Sequence, residues 1–402
     1  MRRRFVCCFV LCVCLVCLGT LTSAQNTASA VAQTGSTPVQ VVYLTEGTGI
    51  VTYDIAPQTL NPTQVGSVTV PDAVFNPDVN PWLIAAPNDH FIYYIGYVSQ
   101  SQQRLWVFAT DATGSPQLPA VQELNVKNLN GLLVDPKANF VYAVFEGVNK
   151  DQAYTTPWYI RRYAVDAASG KLSQPQVAAT YALDNGAEGT TLCGLTLLGF
   201  NSSGTSLYDE VPCSAEGASD ATYNERTVNL TNGALGDDVE VYSWQNGTEG
   251  FENVQFVANR MFDFVVPFNY AQGYDSVNIY PIVPSTSTPL LTCTAQMLEA
   301  CGFSAGLAHP SGKYIFMDIA SDVTQIDKVE MSQKKIVDTS NYVPYEVTQF
   351  SPDGTLVYGV TSVNSTDELM VYGFNVGTSE VTPGGFIYLP STYEGFFSAE
   401  WQ

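Results

Sequence analysis

Histidine is the scarcest residue of this chain, and cations are few for its length. Of its 402 residues two are histidine, His90 and His309, and 16 are lysine or arginine against 38 aspartate and glutamate. Both histidines fall in short turns between expected strands, where a solvated side chain is the ordinary case. A Ser-His-Asp triad would need one of them beside a nucleophile. Three arginines lie within the first four residues, leaving 13 cations and a balance of about −25 for the rest of the chain. Nucleic acid is excluded as a partner because phosphate binding needs clustered cations, and anionic lipid is disfavoured for the same reason. The basic doublets beyond the N-terminus are Arg161-Arg162 and Lys334-Lys335. In a strand, alternation sends Arg161 and Arg162 to opposite faces, so they cannot act as one clamp.

The long apolar run is confined to the N-terminus. Arg2-Arg3-Arg4, the apolar core Phe5–Leu18 and the small residues Thr22-Ser23-Ala24 make residues 1–24 an export signal, with Ala30 as a second candidate end. A membrane anchor is the alternative, but the run is shorter than the roughly 20 residues that a spanning helix needs. Residues 25–38, rich in Ala, Thr, Ser and Gln, read as a flexible lead-in, and 39–402 as one domain. The expectation is an exported protein, periplasmic or extracellular, with no membrane insertion after signal removal.

Cysteine is scarce beyond the signal: Cys193, Cys213, Cys293 and Cys301 remain. Four cysteines in an exported chain allow three disulfide connectivities. If residues 203 and 204 form a hairpin turn, Cys193 and Cys213 are each ten residues from position 203 and fall opposite each other. Cys293 then pairs with Cys301. The rival is a four-cysteine metal site, but these four lack a Cys-x-x-Cys spacing, and no metal or cofactor is expected.

What is abundant is a repeat. Phe350-Ser-Pro-Asp-Gly-Thr-Leu-Val-Tyr-Gly-Val360 reads as strand, tight turn and strand. Its aromatic recurs at Tyr43, Tyr93, Tyr142, Tyr208, Phe264, Phe316 and Tyr358, at intervals of 50, 49, 66, 56, 52 and 42 residues. That is the period of a four-stranded propeller blade. Each aromatic strand is followed by an alternating segment: 50–55, 105–108, 160–165, 239–242, 277–280, 324–329 and 370–374. The rival, a β-sandwich with evenly spaced strands, gives no reason for hairpin and alternating strand to recur as a pair. Tyr43 has no hairpin before it, whereas 396–402 has none after it. Pairing the two completes blade 1, closes the ring and removes two sheet edges. The fold expected is an all-β, seven-bladed propeller.

The phrases Leu132-Leu-Val-Asp-Pro-Lys-Ala-Asn-Phe-Val-Tyr142, Leu307-Ala-His-Pro-Ser-Gly-Lys-Tyr-Ile-Phe316 and Phe350-Ser-Pro-Asp-Gly-Thr-Leu-Val-Tyr358 resemble those of the lactonase-like seven-bladed propellers. That family includes 6-phosphogluconolactonases, muconate-lactonising enzymes and exported members of unknown activity. The resemblance implies the fold over nearly the whole chain beyond the signal. Its enzymatic members act on anionic substrates with His, Arg and Glu side chains in the central cleft. With no histidine in a cleft-facing position and few arginines, this chain departs from that pattern, so no catalytic residue is carried over.

Insertions mark the face that carries the connections between second and third strands, at 146–158, 210–238 and 266–276. Loops on a rigid scaffold are where binding usually resides. Glu146, Trp158, Glu210 and Tyr270 are the candidate ligand residues, a mixture of aromatics and carboxylates that suits a neutral or cationic small molecule, a carbohydrate or a protein partner. The bland alternative is that these aromatics cover the loops' own small cores. The functional expectation is a monomeric binding scaffold, with a lactone hydrolase acting in the central cleft as the alternative.

Overall fold

A computed structural model of the chain describes residues 39–46, 48–75, 82–87, 90–147, 155–184, 191–215, 218–245, 251–257, 260–266, 276–281, 291–294, 303–319, 326–330, 335–338, 347–363, 366–378, 380–391 and 393–401. The expected signal and lead-in lie outside them. The compact unit spans Pro38–Gln402.

The described strands form seven antiparallel sheets, the blades of a β-propeller. Blade 1 joins Tyr393–Trp401 to Val39–Glu46, Gly49–Ile55 and Pro62–Thr69. Blade 2 is Trp82–Ala85, Phe91–Ser99, Gln102–Ala109 and Gln122–Val126, and blade 3 is Leu129–Val134, Phe140–Glu146, Thr155–Ala164 and Gln176–Asp184. In blade 4 the first strand is split into Thr191–Cys193 and Thr196–Phe200, followed by Ser206–Ala215, Ala218–Val228 and Leu235–Gln245. Blade 5 is Phe251–Val257, Arg260–Val266, Ser276–Pro281 and Leu291–Thr294. Blade 6 is Phe303–Ala308, Tyr314–Ile319, Ile326–Glu330 and Lys335–Asp338, and blade 7 is Val347–Phe350, Leu356–Val363, Thr366–Asn375 and Glu380–Leu389. First strands of successive blades touch, as blade 1 does with 2, 2 with 3, and 3 with 4, which places the first strands nearest the axis.

The expected closure is present. Tyr43 pairs with Phe397 and Leu44 with Phe396, so the C-terminal strand completes blade 1. One expectation fails in blade 4. Residues 210–238, read as a long connection, contain the third strand Ala218–Val228, and Val239–Tyr242 belongs to the fourth strand. The physical reason is that Asn224 and Arg226 are buried in that strand, so its pattern looks polar.

The hairpin phrase is explained by its turns. Asp135 Oδ1 accepts the backbone N–H groups of Asn139 and Phe140 at 2.6 and 2.9 Å, and Ser351 Oγ accepts that of Leu356 at 2.9 Å. The side chain before the Pro thereby satisfies the donors that the turn leaves open. Gly354 takes φ +73°, and a Cβ there would stand 2.3 Å from His309 Nε2. Glycine is required twice over at this position.

Alternation then divides each strand's side chains between two blade interfaces. Val41 and Tyr43 pack with Ile92, Trp106 and Phe108 of blade 2, while Val42 and Leu44 pack with Tyr358, Val371 and Ile387 of blade 7. Burial on both faces is why the second strands read as continuous apolar runs. Polar staples fix the packing. Tyr43 donates to Gly114 O at 2.8 Å, Tyr142 to Gly233 O at 2.8 Å and Tyr314 to Val376 O at 3.1 Å. Each acceptor lies in the turn between third and fourth strands of the next blade.

His309 is a fourth staple, not a solvated turn residue as expected. It is fully buried against Phe350 and Phe374. Its Nε2 lies 2.8 Å from Gly354 O, while Nδ1 accepts from Ser311 N at 3.0 Å and lies 2.7 Å from Ser311 Oγ. A carbonyl can only accept, so Nε2 carries the proton and the ring is neutral. Burial holds its pKa below the ordinary 6.5, opposed by the bond to Gly354 and the charge of Asp353.

Two outcomes are expected. Removing residues 393–402 strips Phe396 and Phe397 from the interfaces, worth up to about 3 kcal/mol each for full burial, and opens two edges. Melting should shift sharply downward; a truncated protein that melts like the intact one refutes closure. For His309 the unfolded chain takes up a proton below pH 6.5 while the folded chain resists it, so stability falls as pH drops below that value. Denaturation midpoints at about pH 7.5 and about pH 5 should differ more in the native protein than in His309→Gln, which is weaker at neutral pH.

Candidate functional site

The residues nominated from sequence do not share one environment. Glu146 ends the second strand of blade 3, exposed, and pairs in register with Trp158. Trp158 is 8 % exposed and packs with Tyr142, Ile160, Tyr181 and Leu207 between blades 3 and 4. Its indole contributes to the core, so truncating it would cost stability as well as any contact with a ligand. Glu210, half-buried on blade 4, accepts from Tyr223 at 3.2 Å, and burial raises its carboxyl above the ordinary range. Tyr270 lies outside the described residues.

Cys193 is bonded to Cys213, as expected from their positions about the turn, and the two are directly opposite in register. Closing a loop of 20 residues' separation contributes on the order of 3 kcal/mol by constraining the unfolded chain. Cys301 lies outside the described residues, so the second expected pair does too.

Blade 4 also holds a charged cluster that sequence reasoning missed. Asp209 is fully buried, receiving Tyr181 OH at 2.6 Å, Asn224 Nδ2 at 2.9 Å and Arg226 Nε at 3.3 Å. Arg226 continues to Gly236 O at 3.0 Å and Asp238 at 3.4 Å. Burial pushes the Asp209 carboxyl upward, against these donors and the guanidinium charge. Every member is spoken for, so the cluster is a strut between blades 3 and 4 rather than an open site. No sequence signal separates an Asp and an Arg 17 residues apart from a solvated pair.

A groove of about 800 Å³ opens between blades 2 and 3. Phe145, Tyr159, Arg161 and Tyr163 line it from blade 3, and Leu124 and Val126 from the fourth strand of blade 2. Gln102, Asn125, Lys127, Asn128, Glu146 and Gln174 add polar side chains to its lining. Phe145 pairs with Tyr159 across the sheet, and Arg161 follows two residues later on the same face. Alternation separates the arginine doublet as expected: Arg162 reaches Gln176 and the Asn232 carbonyl of blade 4, whereas Arg161 faces blade 2. Of the nominated residues Glu146 alone borders this groove.

Histidine offers little here. His90 is exposed in its turn, and both ring nitrogens of His309 are engaged. The chain's one Gly-x-Ser-x-Gly spacing, Gly302-Phe-Ser-Ala-Gly306, runs into the first strand of blade 6 at Phe303–Ala308. A nucleophile elbow needs a strand-to-helix turn at that serine.

No protein-family model matches the chain, and no curated protein matches it. Solved structures do. A protein named as a candidate 6-phosphogluconolactonase from Bacteroides fragilis aligns with TM-score 0.53 and 14% identity over 90% of this chain and 99% of that one. Its counterpart from Bacteroides uniformis gives 0.52 and 15% over 90% and 100%. A protein from Lactobacillus plantarum gives 0.55 and 10% over 90% and 99%. Likeness at these identities establishes the fold this chain shares with them, a β-propeller, and leaves its activity to be argued from its own residues.

Proposed function

We propose that this protein is an exported binding propeller that holds a small ring-bearing ligand, carbohydrates included, in the groove between blades 2 and 3. The observation that carries the reading is the groove itself. Its volume of about 800 Å³ falls within the range of small-molecule sites, roughly 300–1,000 Å³. Tyr159, partly exposed, offers a ring for stacking, while Gln102, Asn128 and Gln174 supply side-chain donors and acceptors at its borders. The disulfide between Cys193 and Cys213 supports export, because such bonds persist in oxidising compartments. The acidic balance keeps an exported protein soluble.

The alternative is a lactone hydrolase working in the central cleft, the activity named for the Bacteroides structures. Ester cleavage needs a base and a stabiliser for the developing oxyanion. The two readings diverge in one experiment. Saturation-transfer NMR on the purified protein with glucose, glucuronate, benzamide and benzoate should give signals that fall away in Tyr159→Ala. They should persist in Tyr388→Ala, a 62 % exposed residue on blade 7. Signals indifferent to Tyr159, or turnover of 6-phosphogluconolactone that disappears in His90→Ala, would replace the groove reading with the enzymatic one.

A further inference from the structure

Three arginines whose side chains are described are paired. Arg104 contacts Asp72 and Glu123, Arg226 contacts Asp209 and Asp238, and Arg162 bonds Gln176 and Asn232. Arg161 differs. Its guanidinium carbon lies 4.6 Å from the centroid of Phe145 and 5.8 Å from that of Tyr159, and it finds no carboxylate or other acceptor among the described residues. In a chain with 38 acidic residues, an arginine without one beside it is conspicuous. The two rings hold the guanidinium by cation–π contact and leave its N–H groups without an acceptor among the described residues. Those groups belong to a side chain lining the groove, where Lys127 adds a second positive charge and Glu146 one negative charge, leaving the lining net positive.

We propose that Arg161 makes the groove selective for a ligand bearing a carboxylate next to a ring, with the carboxylate accepting two parallel N–H bonds from the guanidinium. The inference rests on the groove being the ligand site and adds the ligand's charge. It departs from the neutral or cationic ligand expected from the aromatics and carboxylates of the long connections, and the chain's acidic balance does not forbid it. The physical reason is range: the field of distant carboxylates is screened over about 8 Å at physiological salt, whereas a fork–carboxylate contact acts at hydrogen-bond distance and is charge-assisted. The acidic surface therefore slows the approach of an acid without cancelling its contact. Added salt should speed association rather than weaken binding.

Calorimetric titration of the full protein with benzoate and glucuronate, against their uncharged counterparts benzamide and glucose, tests this. Each acid should bind roughly 10- to 100-fold more tightly than its counterpart. Arg161→Gln should erase that preference, and Arg161→Lys, which keeps the charge but not the fork, should restore only part of it. If benzoate alone shows the preference the ligand is an aromatic acid, and if glucuronate alone shows it a sugar acid; both outcomes support the inference. Acids and counterparts binding equally, with Tyr159 still required, would overturn the carboxylate inference and leave the groove reading intact. A preference that survives Arg161→Gln, or no binding of either acid at millimolar concentration, would also overturn it. Should Arg161→Gln fail to fold, the acid-to-neutral comparison on the native protein, read with Arg161→Lys, still decides.

Discussion

Packing of each blade against the next is the interaction on which everything else depends. A four-stranded sheet with two apolar faces cannot stand in water, and among the described residues blades 1, 2, 3 and 7 each bury one face against the predecessor and one against the successor. The polar staples make that packing specific. Tyr43, Tyr142 and Tyr314 each donate to a carbonyl in a turn of the following blade, and His309 does the same through Nε2. Such bonds contribute about 1 kcal/mol each, less than the rings that carry them. Their larger effect is to fix the angle at which blades meet. A series of pairwise contacts has free faces unless it closes, and pairing of Tyr43 with Phe397 supplies the closure.

Blade 4 departs most from its neighbours. Its first strand is interrupted after Cys193, and its second and third strands carry Asp209, Asn224 and Arg226 into the interior. Burying charge is expensive, and the cost is offset only when each lone pair and proton is met. Tyr181 from blade 3 meets Asp209, so the cluster joins the two blades as well as satisfying itself. The disulfide lies in the same blade and ties the interrupted first strand to the second. Local irregularity and added cross-linking coincide.

The groove follows from unequal strand lengths. Blade 2 ends in a five-residue fourth strand, Gln122–Val126, whereas blade 3 presents a ten-residue third strand and a nine-residue fourth. The shorter sheet cannot cover the longer one, and Val177, 58 % exposed opposite Arg161, shows where cover stops. Arg161 occupies this uncovered stretch on its aromatic support. In a fully covered interface its position would be taken by an aliphatic side chain, as at Val107 and Val141 nearby.

Residue pattern is enough to give the blade count, the hairpin turns, the closing strand and the Cys193–Cys213 bond. These depend on local turn chemistry and period-two alternation, which a single chain displays without reference to its neighbours. It also determined that Arg161 and Arg162 diverge. Tertiary structure alone decided what each face meets. His309 looks like any turn residue until the next blade's Gly354 and Phe374 close over it, and Trp158 looks like a loop aromatic until Tyr181 and Leu207 bury it. Blade 4's third strand was illegible because burial partners up to 45 residues away permit polar residues where alternation predicts apolar ones. The groove was illegible for the complementary reason, since an opening is defined by what two separate sheets fail to cover.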